Sequence, residues 1–165
     1  MRKITKLAGV ALFATLLLVA CSTGDDQSTT VTPPPTADTL TVAPTAGTDQ
    51  PPMWKAPGIS SFESMPMSVQ ISLQKELLPY LTSADQMCAM IAGEVRAESG
   101  PKETGGQYYF PLSILGNSGE GYVTLKYFCD KLHRIFTVSN WKEFDPGIQP
   151  TIDGTPYEVK FYTGE

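Results

Sequence analysis

The sequence predicts a small α+β domain, on three observations. Apolar residues recur at helical spacing over about 84–98 and again over about 120–136. Around these stretches, short segments alternate apolar and polar residues, as half-buried strands do. Turn signals rich in Gly, Pro, Asn and Asp separate the pieces. The expected architecture is one domain over 58–165, in which two helices pack on an antiparallel sheet of three to four strands.

The first element is "MSVQISL", 67–73, where Met67, Val69, Ile71 and Leu73 alternate with Ser68, Gln70 and Ser72. Period two favours a strand, although Pro66 also suits the first turn of a longer helix through Leu77, Leu78 and Leu81. In "TSADQMCAMIAGEVRAESG", Ser83 with Gln86 three residues later has the pattern of a capping box. Met87, Cys88, Met90, Ile91 and Val95 then form one apolar stripe, and Gly100-Pro101 supplies the stop. This is the first expected helix. "QYYFPLSIL" is a β-rich run, and Pro111 favours an edge position.

"GYVTLKYFCDKLHRIFTV" fits a strand by composition. As a helix it places Tyr122, Leu125, Phe128, Cys129, Leu132, Ile135 and Phe136 on one arc. Lys126, Asp130 and Arg134 become i,i+4 neighbours on the other side. A strand would need a turn and would set Lys126 on the face of Phe128, so the helix accounts for more residues. Asp153-Gly154 suits a tight turn, and "YEVKFY" alternates as a closing strand.

The N-terminal segment belongs to targeting. Arg2, Lys3 and Lys6 precede an uncharged run from Leu7 to Ala20. That run is shorter than the ~20 apolar residues a spanning helix needs, and it fits the core of a secretory signal. It ends Leu18-Val19-Ala20-Cys21, which resembles the lipobox of bacterial lipoproteins. The resemblance covers residues 1–22. It implies cleavage before Cys21, a diacylglyceryl group on the Cys21 thiol and an acylated new N-terminus. Each buried CH₂ contributes ~0.8 kcal/mol, so two or three chains anchor firmly. Ser22 in place of Asp resembles lipoproteins sent to an outer membrane. The expected location is the cell membrane or outer membrane, with the domain extracytoplasmic.

Residues 21–57 read as the lipidated N-terminus and a disordered tether. Residues 22–57 hold nine Thr and seven Pro, with no aromatic before Trp54. Such a segment buries too little apolar area to offset its ordering entropy. As a coil it spans roughly 35 Å, or ~110 Å as extended polyproline.

Charge narrows the partners. Once Arg2, Lys3 and Lys6 leave with the signal, nine basic residues face seventeen acids, a net charge of −8. That argues against nucleic acid and against polybasic contact with anionic lipid. With Cys21 assigned to lipid, Cys88 and Cys129 remain. Beyond the cytoplasm they are expected to form a disulfide, whose ~40-residue loop would contribute roughly 4 kcal/mol.

Chemistry-bearing patterns are sparse. Cys129 and His133 would be i,i+4 on the second helix, but with Cys129 toward the core and His133 toward solvent. His133 is the only histidine, so no His-rich metal site is expected. "GNSGEG" lacks the second glycine of a nucleophile elbow, because Glu120 follows two residues after Ser118. Glu94 and Glu98 read as a solvated helix face. No cofactor or metal is expected.

The aromatics are more suggestive, since twelve of sixteen fall between 106 and 165. Tyr109, Trp141 and Tyr162 are the candidate partner-binding residues. The expected function is non-enzymatic: a lipid-anchored envelope protein of assembly or chaperone type, binding a protein or glycan. The alternative is a small-ligand or solute-binding lipoprotein. A hydrolase is disfavoured by the missing catalytic constellation.

Overall fold

The computed structural model describes residues 43–58, 62 and 65–164. The expected signal segment, the expected lipidation residue Cys21 and the expected tether up to residue 42 lie outside these. Among the described residues eight strands form: β1 Met67–Leu73, β2 Gln86–Ile91, β3 Glu94–Ser99, β4 Lys102–Thr104, β5 Gln107–Ile114, β6 Tyr122–Cys129, β7 Arg134–Glu143 and β8 Tyr157–Val159. β1 is the strand that its alternation predicts. Met67, Val69, Ile71 and Leu73 are buried, while Ser68, Gln70 and Ser72 take the other face.

The strands make two four-stranded sheets, β4-β5-β1-β8 and β3-β2-β6-β7. In the first, β1 pairs antiparallel with β5 and parallel with the short β8. β5 is an inner strand, but β4 ends at the Lys102–Tyr109 pair. Pro111 therefore has no β4 partner to lose, and opposite it the Gln70 amide donates to the Pro150 carbonyl at 2.8 Å.

Neither expected helix forms, and the fold is a mixed β-sandwich, not α+β. Among the described residues the only helical element is a 3₁₀ turn at Leu78–Tyr80. The stretch 84–98 is the β2–β3 hairpin, reversed at Ala92-Gly93. There φ is 50° and 84°, the left-handed pair that two-residue hairpins require. The stretch 120–136 is β6, a turn at 130–133 and the start of β7. Lys126 and Phe128 do share one face there, because period two demands it. Lys126 is half-buried and Phe128 fully buried.

The core lies between the sheets. Ile71, Phe110 and Leu112 from the first meet Met87, Leu125 and Tyr127 from the second in one buried cluster. Tyr127 is its centre. Its ring lies 5.7 Å from Phe110, 6.0 Å from Phe136 and 5.7 Å from Phe161.

Residues 43–58 extend the domain beyond its expected boundary. They run without regular secondary structure along the second sheet. The Tyr162 hydroxyl donates to the Ala43 carbonyl at 3.3 Å, and Arg134 donates to the Thr45 carbonyl and hydroxyl, both at 3.2 Å. Gly47 and Asp49 amides donate to Leu132 and His133 carbonyls, both at 2.8 Å. Farther on, the Ala56 amide donates to Glu98 Oε2 at 2.7 Å. The Thr/Pro-rich segment thus meets the domain well before residue 57.

Candidate functional site

The expected Cys88–Cys129 disulfide is absent, and both thiols are free and buried. Sheet geometry excludes the bond. Cys88 lies opposite Lys126, three residues from Cys129 along β6, a separation of ~10 Å against the 4.4–6.8 Å that a disulfide allows between Cα atoms. The two also face opposite ways. Cys129 shares the core face with Tyr127 and Leu125, while Cys88 sits between core-facing Met87 and Ala89 and points outward. Burial pushes the Cys88 thiol up to about 12, with nearby Lys126 opposing the shift. Burial likewise raises Cys129, whose sulfur lies 3.7 Å from the Tyr80 carbonyl.

The three aromatic candidates do not converge. Tyr162 is buried, and the Gln74 side-chain amide holds its backbone. Gln74 Nε2 donates to the Tyr162 carbonyl at 2.7 Å, and the Tyr162 amide donates to Gln74 Oε1 at 2.8 Å. Trp141, on β7, packs edge-on against Tyr157 at 5.7 Å, with the Lys142 ammonium 5.7 Å from its ring. Tyr109 belongs to the other sheet, on the outer face of β5, half-buried beside Lys102. Of the three, Tyr109 alone belongs to an open sheet face.

Two buried polar clusters stand outside the candidates that the sequence offers. Asp85, 1% exposed, accepts hydrogen bonds from the Tyr127 hydroxyl, from Thr82 Oγ1 at 2.8 Å and from the Asp130 amide at 3.1 Å. This joins the 78–85 segment to the β6–β7 turn. Burial, with the bond to Asp85 second, holds the Tyr127 hydroxyl far above its ordinary range, so it stays a donor. Thr82-x-x-Asp85 was the available signal, one residue out of register with the capping box. The second cluster is Arg96. Its guanidinium lies 3.1 Å from Glu120 and 3.3 Å from Glu94, and 4.6 Å from the Phe62 ring centroid. The first ties loops to the ends of inner strands β2 and β6, and the second ties the loop at Glu120 to edge strand β3. His133 sits at the β6–β7 turn with φ 47°, not on a helix. Glu94 and Glu98 have separate partners, Arg96 and the Ala56 amide.

The two outer faces differ. The chain between Asp49 and Ala56 joins opposite edges of the second sheet, from Ile135 on β7 to Glu98 on β3. It therefore crosses that face. Among the described residues no such segment crosses the outer face of the first sheet. Ser68 pairs with Ser113 and Gln70 with Pro111, while Ser72 pairs with Glu158 and Tyr109 with Lys102. All of these are exposed or half-buried. Strand spacing sets neighbours ~4.8 Å apart across the sheet and ~6.7 Å apart along it. The result is a flat array of hydroxyls and an amide with one aromatic ring at its margin. Such an array can hydrogen-bond and stack on a polar partner.

Comparison with known proteins returns no match: no family model, no curated protein and no solved structure matches this chain.

Proposed function

We propose that the chain is a lipid-anchored protein of the cell envelope, held through Cys21, and that its sandwich binds a protein or glycan partner on the outer face of the first sheet. The observation that carries this reading is the asymmetry of the two faces. One is crossed by the chain's own segment, and among the described residues no segment crosses the other, where Tyr109, Gln70 and the serine pair face outward. The lipobox at Leu18–Cys21 supports the anchor, and acyl chains supply the membrane affinity. The acidic balance of the mature chain disfavours nucleic acid. A scaffold or assembly role suits a rigid sandwich with a recognition face.

Chemical crosslinking in the intact envelope tests the proposal, comparing wild type with the Tyr109→Ala, Gln70→Ala double variant. The expected result is a partner adduct lost in the variant while thermal unfolding stays unchanged. An adduct retained at full yield overturns the assignment of the face.

A further inference from the structure

Phe128 and Cys88 are both fully buried, yet both lie on the outer face of the second sheet. Phe128 pairs with Ile135 and Gln86, and Cys88 pairs with Lys126 and Glu98. They therefore occupy the diagonal between Ile135, which donates to Asp49, and Glu98, which accepts from Ala56. The seven residue steps from Asp49 to Ala56 can extend ~23 Å. The diagonal is shorter, three strand spacings across and two residues along, about 16 Å. Pro52, Trp54 and Ala56 are half-buried, alternating with exposed Met53 and Lys55. The alternation is that of an extended chain with one side on the sheet.

We infer that residues 43–56 form a strap that opens as a unit, uncovering Phe128 and Cys88 while the sandwich stays folded. The strap is held at alternate residues from Ala43 to Asp49 and again at Ala56. The attachments at Thr45, Asp49 and Ala56 are solvent-exposed hydrogen bonds, the class that opens at low free energy. The core between the sheets has its own complement of buried residues and does not include the strap. The chain that precedes Ala43 leads back to Cys21, so tension on an anchored N-terminus would peel the strap from its Ala43 end. That last clause rests on the anchor reading; the opening itself does not.

Gly47 is the lever. A Cβ there would meet the His133 carbonyl oxygen at 2.8 Å and Arg134 Cβ at 3.3 Å. Gly47→Val should therefore lift the strap, and Asp49→Ala should loosen it from an exposed position that poses little risk to folding. The measurement is N-ethylmaleimide labelling of the native full chain, with each cysteine followed by peptide mass spectrometry. The wild type should label slowly at Cys88. Both variants should label on the order of tenfold faster at Cys88, with Cys129 unchanged. A Cys88 that labels in the wild type at the rate of an unfolded thiol overturns the strap as cover. Rates that are equal in all three proteins, or that rise together at Cys88 and Cys129, overturn opening as a unit. Because acylation of Cys21 plays no part, failure here leaves the anchor reading standing.

Discussion

Tyr127→Phe removes one hydroxyl from the middle of the core and leaves the ring packing against Phe110, Phe136 and Phe161 in place. The lost bond is to Asp85, a buried carboxyl that also accepts from Thr82 and Asp130. A hydrogen bond to such a group is worth about 1.5–3 kcal/mol. Asp85→Asn keeps the shape but presents an amide where three donors converge, and should cost about 2–3 kcal/mol. The double variant should cost less than the sum, with a coupling of about 1–2 kcal/mol, because each change removes the same bond. Urea unfolding of the four proteins at neutral pH gives the cycle. Each lost kcal/mol should also lower Tm by roughly 5 °C. Additivity within ~0.5 kcal/mol would refute the account, since it would mean that Tyr127 and Asp85 do not interact.

Ala92 is held at φ 50° before Gly93, so Ala92→Gly should raise stability by about 0.5–1 kcal/mol in thermal melts; a lower Tm would contradict the turn assignment. Intact mass of denatured, unreduced protein should show both Cys88 and Cys129 alkylated, whereas a mass that changes only after reduction would restore the disulfide. Stability should also fall in alkali. Cys88 keeps its proton to about 12 in the native state against 9.0 ordinarily. Its contribution is therefore full below pH 9 and declines above it, by up to about 1.4 kcal/mol per pH unit as far as about pH 12. Cys129 and Tyr127 are raised too and act in the same direction. Cys88→Ala should flatten part of this slope in urea titrations between pH 8 and about 11; an unchanged slope would deny Cys88 its burial.

Where one sheet face meets solvent, the strands were legible from sequence. β1 alternates because its outer residues are Ser68, Gln70 and Ser72, and β5 carries Tyr109 and Ser113 outward. The second sheet was misread as helices for a physical reason. Its outer face is covered, so Cys88 and Phe128 are as apolar as the core-facing residues beside them. Alternation disappears, and "MCAMI" and "YFC" become continuous apolar runs that periodicity alone cannot assign. The cover is the segment read as a disordered tether. Composition does not show that it docks on its own domain, because its attachments use backbone amides and single side chains such as Asp49. The two differences from expectation thus have one cause. A segment without regular structure supplies the cover that makes the outer face of the second sheet apolar.

The same limit applies to the candidate residues. Tyr109, Trp141 and Tyr162 look alike in composition, and only the fold separates them. Gln74 draws Tyr162 inward through two hydrogen bonds, Tyr157 engages Trp141, and the pleat turns Tyr109 outward.

The open face is tested most directly by a photo-crosslinking side chain placed in turn at Gln70, Tyr109 and Ser113, with Met53 and Lys55 on the strap as controls, in the envelope of living cells. The account predicts a discrete adduct from the first three positions and none from the strap. Adducts from the strap alone, or equally from both sets, would contradict it.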